Sequence, residues 1–395
     1  MGAFAQMGIG KKKASLFAAA TLVVCLCGLL ACSGTNAKTT DSGTKAANET
    51  TSVSSSEAVL DPYAWKDQYP NQFNSYIDAG YVKYSDKQPN AHGKVNTFFS
   101  GTHFSSMTPE VGCFRCHTSQ FGPMVEIYGE DLISMDFETF RREVKVGVTC
   151  YSCHGNTPGE MVVANSWVSE AASKGGIETS TENLVCAQCH SLPDWGAITT
   201  NGDPSTWSML QYGLDPDTYW EHFQSKGIND PVVPPEESEF NSYTGSIMDK
   251  AGATCADCHM SKHKDASGAE YSGHTFQGVT ENEALYENCL SCHKNSTVNE
   301  RKTAVATVKE EYAQRRAPAQ AAIDELSAAI ETAIASNSIS DSTLKQAQQI
   351  LSKAIFYLNY GSDWGDGIHI MGNKPIEECF DKAIATANEG LGLLS

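Results

Sequence analysis

Cys113-Phe114-Arg115-Cys116-His117 is the first of five copies of one pattern. Cys150-Tyr151-Ser152-Cys153-His154, Cys186-Ala187-Gln188-Cys189-His190, Cys255-Ala256-Asp257-Cys258-His259 and Cys289-Leu290-Ser291-Cys292-His293 complete the set. Two thiols separated by two residues can add to both vinyl groups of one porphyrin, and the next residue then lies under the iron as its proximal ligand. A chance copy is expected on the order of once in a hundred chains of this composition. Thioredoxin-like redox pairs or zinc ligands do not explain a histidine after every pair. The sequence therefore predicts five haems c, bound through these ten cysteines, with His117, His154, His190, His259 and His293 as proximal ligands.

An interior filled by porphyrin changes what the rest of the chain should look like. Between residues 61 and 298 hydrophobic periodicity is weak, and Gly, Pro, Ser and Asp recur, so short helices should alternate with long loops. From 299 to 395 the texture changes. Ile323, Leu326, Ile330 and Ile334 recur at helical spacing, as do Leu344, Ala347, Leu351, Ile355 and Leu358. Ser336 to Asp341 breaks the run, and a last helix opens at Pro375 and is expected to stop near Gly390. Cys379 falls on its apolar face and is expected to be a buried thiol. The fold class is mainly α: a multihaem cytochrome c fold with little strand and long C-terminal helices.

The 395 residues carry a formal charge of −19, and 41% of them are hydrophobic. The acidic balance argues against nucleic acid as a partner. Fourteen cysteines are present, and the four outside the motifs are Cys25, Cys27, Cys32 and Cys379. Lys11, Lys12 and Lys13 precede an apolar run that ends at Leu29-Leu30-Ala31-Cys32. We read residues 1–31 as a lipoprotein signal peptide and Cys32 as the lipidated residue, in preference to a short transmembrane anchor. Residues 32–60, rich in Ser, Thr, Ala, Asn and Gly, make a flexible tether. The protein is thus expected on the extracytoplasmic face of the cell membrane, lipid-anchored, in a periplasm or at the outer surface.

The order of the motifs, with Cys186–His190 third, Cys255-Ala256-Asp257-Cys258-His259-Met260 fourth and a helical C-terminus behind them, resembles the pentahaem ammonia-forming cytochrome c nitrite reductases (cytochrome c552 type). The resemblance covers about residues 61 to 395. It implies distal iron ligands. Pro89-Asn90-Ala91-His92 resembles the segment capping the third haem, Ser272-Gly273-His274 the segment capping the second, and Gly367-Ile368-His369 the segment capping the fourth. It also implies that residues 299–395 build a homodimer interface.

At the active site the chain departs from the family. His117 stands where the family usually has lysine, and Pro193 where it has a catalytic tyrosine. Glu237 stands where it has a catalytic histidine, and Glu236 where a glutamine helps bind calcium, which leaves calcium the less favoured cofactor. No arginine precedes Arg115, and His103 is the nearest functional group to the family's catalytic arginine. Met248 occupies the place of the histidine capping the fifth haem. His222 and His263 receive no assignment.

Two functions are compatible with these residues. One is an electron carrier in anaerobic respiration, with His103 capping the first haem and a membrane quinol-oxidising cytochrome or a separate reductase as partner. The other is a reductase of nitrite to ammonium, or of another small oxyanion, at an open first haem, with His103 and Glu237 as catalytic groups. Mass spectrometry of the mature protein is expected to show about five added haem masses and a modified N-terminal Cys32. Unlipidated protein beginning upstream of Cys32 would contradict the anchor.

Overall fold

The computed structural model describes residues 58–78, 110–200, 202–229, 238–279, 281–362 and 367–395. Residues 1–57, expected to hold the signal peptide, Cys32 and most of the tether, lie outside the described residues, as do His92, His103, Glu236, Glu237 and the side chain of Cys113. Residues 50–395 form one compact unit.

Short elements come first. Helix α1 (Pro70–Asp78) buries Phe73 and Tyr76, and the Tyr76 hydroxyl donates to the Val148 carbonyl just ahead of the second motif. The Tyr69 hydroxyl donates to the Pro158 carbonyl just behind that motif at 2.5 Å. The first motif lies in a 3-10 turn, Val111–Cys116, followed by α2 (Phe121–Tyr128). Next come α3 (Cys150–His154), α4 (Ser166–Lys174) and α5 (Thr181–His190), so the second and third motifs are themselves helical. Phe114, Phe121, Phe140, Trp167 and Trp207 fill a core around the first motif, with Trp167 and Trp207 ring centres 5.6 Å apart. Each such ring contributes about 1.5–3 kcal/mol of transfer free energy. Gly112 packs against Ile198 so closely that a Cβ there would sit 2.1 Å from its side chain.

Asp215 accepts from the Thr218 amide at 3.1 Å and opens α6 (Pro216–Ser225), with Pro216 in the first turn. Two short helices follow, α7 (Glu239–Tyr243) and α8 (Cys255–His259), the second carrying the fourth motif. The hairpin of β1 (Lys262–Lys264) and β2 (Glu270–Ser272) is the strand content among the described residues.

The C-terminal region is a three-helix unit. Thr297 and Glu300 form a reciprocal capping box that starts α9 (Val298–Ser336), 39 residues or about 58 Å long. Asn337, at φ 47°, ends it, and Ser340 caps α10 (Asp341–Tyr360). A turn at Lys374–Glu377 leads into α11 (Cys379–Leu394). Ile323, Leu326 and Ile330 of α9 pack with Ala347, Ala354 and Phe356 of α10 and Phe380, Ala383 and Ala387 of α11. Cys379 lies among them fully buried, and burial pushes its thiol up to about 12.

Two expectations are corrected here. The last helix does not stop near Gly390 but runs to Leu394. Gly390 is there for closeness, since a Cβ would come within 2.7 Å of Leu326. Ile334 is 51% exposed, because the buried face of α9 passes to Ala333 near its end. The apolar stripes of α9 to α11 pack on one another inside the chain.

Helix α6 locks this unit to the haem-motif region. Tyr219 meets Tyr360 edge-on with centroids 5.6 Å apart. Asp217 accepts from Tyr357 at 2.5 Å and from Lys382 at 2.8 Å. Partial burial opposes the Asp217 charge, but these two donors outweigh it and hold its carboxyl below the ordinary value. A depressed carboxylate stabilises the fold above its unfolded pKa of about 4 and loses that contribution as pH falls through the folded value. Asp217→Asn is expected to cost up to about 1 kcal/mol at pH 7, limited by solvent screening. Thermal melts should show the gap between variant and wild type closing below about pH 4.

Candidate haem-binding centre

The structure brings together two pairs of histidines far apart in sequence. His259 of α8 faces His369, with ring centroids 5.9 Å apart and planes 3° from parallel. His154 of α3 faces His274, with centroids 6.3 Å apart and planes 44° apart. Stacked rings would lie much closer. An iron bonded to an imidazole nitrogen on each side at about 2 Å, with each ring centre roughly 1 Å further out, sets centroids about 6 Å apart. Both pairs therefore fit an iron between them.

The backbone aims these rings. The Nδ1 of His154 lies 2.7 Å from the Glu160 carbonyl, and the Nδ1 of His274 lies 3.0 Å from the Ser272 carbonyl. A proton held at Nδ1 leaves Nε2 as the nitrogen with the free lone pair. The His274 amide donates to Ser75 of α1 at 3.0 Å, so the N-terminal helix fixes the far wall of this pair. His369 is reached through Gly367, at φ 74°, whose missing Cβ would meet Tyr312 of α9 at 2.6 Å. Burial lowers His259 to about 4, with His369 adding to the effect. Burial likewise lowers His274 to about 4. Both rings are thus neutral, the form that binds metal.

His190 is set differently. Its Nδ1 lies 2.8 Å from the Glu239 carboxylate of α7. Burial opposes charge on His190, but the carboxylate prevails and raises its pKa to about 9. A carboxylate behind a ligating imidazole increases the ring's basicity. Glu239 lies 49 residues from its histidine and carries no motif, so no sequence signal marks it.

The motifs touch in succession. Cys116 Sγ lies 4.0 Å from the Cys189 carbonyl, and Cys189 Sγ lies 3.9 Å from that of Cys116, joining first and third. Cys153 lies within electrostatic reach of Cys186, joining second and third. Cys186 lies beside Cys255, joining third and fourth, and Asn183 braces this junction by accepting from the Cys255 amide at 2.9 Å. Cys258 is near both Cys289 and Cys292 of the fifth. The third motif is the hub.

A buried polar network fastens the first three motifs. Gln188, between the third pair of cysteines, accepts from the Asn165 amide at 2.7 Å and donates to the Ser152 carbonyl at 2.9 Å. Ser119 meets the Ser152 hydroxyl at 2.7 Å and accepts from the Thr149 amide at 2.8 Å.

The remaining candidates are placed as follows. His222 packs on the Tyr212 ring with centroids 4.3 Å apart, its Nε2 2.7 Å from buried Asp194. His263 lies on the hairpin, 2.6 Å from the Ser261 hydroxyl and stacked on Tyr271. Met248 is half-buried in the turn Ile247–Lys250, which is tied to Met371 by the Ile247 amide at 2.8 Å. Pro193 forms a backbone bridge with Ser208. Among the described residues no group of three or more His, Cys, Asp or Glu could hold a metal ion without the porphyrin.

The family model for cytochrome c552 matches residues 102–192 and 211–390. The cytochrome c-552 of Maridesulfovibrio salexigens is 22% identical over 259 residues, 58% of this chain and 51% of its own. The cytochrome c nitrite reductase subunit NrfA of Nitratidesulfovibrio vulgaris is 21% identical over 212 residues, 47% of this chain and 40% of its own. The chain thus spans about half the length, or less, of these curated relatives. The catalytic subunit (NrfA) of cytochrome c nitrite reductase from Desulfovibrio desulfuricans has the same fold. Its TM-score is 0.61, at 17% identity, covering 83% of this chain and 86% of that one.

His274→Ala is expected to leave one iron without its second imidazole. A new high-spin ferric signal, removed by added imidazole, should appear in the electron paramagnetic resonance spectrum. An unchanged low-spin spectrum would show that His274 is not a ligand.

Proposed function

This chain belongs to the cytochrome c552 family, and we propose that it works as an exported, lipid-anchored carrier in anaerobic respiratory electron transfer, with a haem c in each of its five motifs. The observation that carries this reading is the unbroken succession of motif contacts from first to fifth through the third. The haems, when bound, supply one-electron chemistry at potentials set by axial ligand, burial and local charge. The chain's own residues do the rest. His154 with His274, and His259 with His369, close both faces of the second and fourth irons and leave no position for a substrate. His92 and Met248 cap the third and fifth in this reading, and His103 caps the first opposite His117.

Export follows from the basic and apolar N-terminal segment, and anchoring from lipid on Cys32. Electrons would come from a quinol-oxidising membrane cytochrome and leave to a separate reductase. The acidic surface suits a basic docking face on such a partner. A homodimer through the outer faces of α9 to α11 belongs to the same proposal, as does the division into a haem-binding region, 61–298, and a helical region, 299–395.

The second reading, reduction of nitrite or another small oxyanion at an open first haem, is favoured by the name of the Nitratidesulfovibrio vulgaris relative, a nitrite reductase subunit. It needs donors of protons and positive charge around that iron. His103 and Glu237 are the candidates, and calcium at Glu236 would belong to the same site.

Spectroscopy of the oxidised protein separates the two. The carrier reading expects low-spin haems throughout, no steady turnover of nitrite with a reduced dye, and a new high-spin signal in His103→Ala. A high-spin haem in the wild type, or steady nitrite turnover, favours the reductase.

A further inference from the structure

Arg115 sits between the two cysteines of the first motif and is 3% exposed. Its Nη1 donates to the Gln188 carbonyl, inside the third motif, at 3.3 Å. Its Nη2 is buried and has no hydrogen-bond partner. Among the described residues it forms no ion pair with a carboxylate. Asn165 Nδ2, 3.5 Å away, engages only its backbone carbonyl. A guanidinium keeps its charge at any working pH. An uncompensated buried charge is strongly destabilising, so this guanidinium favours any negative charge that comes near it.

The place of this cation narrows what that charge is. With haem in both motifs, the thioether edges of the first and third porphyrins would meet here, at Cys116 and Cys189. The propionates of these two haems would leave from the opposite edge of each porphyrin. What would come between these two motifs in a carrier is the transferred electron. We propose that Arg115 is a buried cation, with no carboxylate partner among the described residues, that raises the reduction potentials of the first and third haems together, making this junction the electron reservoir of the chain. Reduction adds one negative charge to a haem without a bond forming or breaking. A nearby cation held out of water stabilises that charge far more than one in solvent does. The inference rests on the reading that both motifs hold haem, and haem counting by mass tests that separately.

The experiment is a resolved redox titration, at pH 6, of the holoprotein and of Arg115→Gln, Arg115→Met and Arg115→Lys. Both neutral variants should lower two potentials and leave the others in place. The expected fall is at least tenfold in each reduction equilibrium, about 59 mV. Arg115→Lys should retain the wild-type values, because it keeps the charge while losing the fork. Unmoved potentials in a neutral variant overturn the proposal. So does an equal fall in Arg115→Lys, which would assign the effect to packing. If neither neutral variant assembles, Arg115→Lys alone decides: retained potentials support the charge role and lowered ones overturn it. Wild-type protein without haem in the first or third motif would instead defeat the underlying reading.

Discussion

Two imidazoles held with their ring centres about 6 Å apart have no reason to stay there on their own. Neutral rings gain nothing from a gap too wide for contact and too narrow for bulk water. The arrangement is held from behind, by carbonyls at Nδ1 and by the backbone that carries them. His154 depends on Glu160, His274 on Ser272 and Ser75, and His369 on the bend at Gly367 against Tyr312. The helices and cores of the protein serve to keep these anchors in register.

That requirement explains the division of labour in the fold. Aromatic packing around the first motif and the three-helix unit at the C-terminus are dry cores of the ordinary kind. Between them the motifs are joined by polar contacts, Gln188 to Ser152 and Asn165, Ser119 to Ser152, and Asn183 to Cys255. Such a network is worthwhile only if nearly every member is satisfied, since each buried donor left alone costs about 1–3 kcal/mol. Satisfied, it fixes the spacing of neighbouring motifs more strictly than apolar packing would, and electron transfer is sensitive to that spacing.

Much of this was legible in the sequence because covalent chemistry imposes short, fixed spacings. The five motifs, the mainly helical class, the long C-terminal helices and the buried Cys379 could all be read from residues close together in the chain. His274 and His369 were reached only through the resemblance, since an isolated histidine in a loop has no local signature. Glu239, Asn183 and Arg115 were not reached at all. Their roles come from contacts between segments dozens of residues apart, and nothing in their neighbours' pattern announces them. The misjudged end of α11 has a related cause. Glycine usually ends a helix, but at Gly390 the lack of a Cβ serves the approach of Leu326, a tertiary demand that overrides local propensity.

The histidine pairs also bear on stability. Each joins segments roughly a hundred residues apart, and closing loops of that size costs entropy that grows only slowly with length. An iron bound at both ends would repay that cost in the folded state alone, which would link haem insertion to folding by mass action. The Nδ1 anchors reduce what must be repaid by orienting one ring before the other arrives. The unmatched stretch between the two parts of the family match, residues 193–210, lies directly after the third motif and includes Pro193 and buried Asp194. It can diverge without loosening either histidine pair, because neither takes an anchor from it. The two histidine pairs and the stretch after the third motif are thus separable in structural terms.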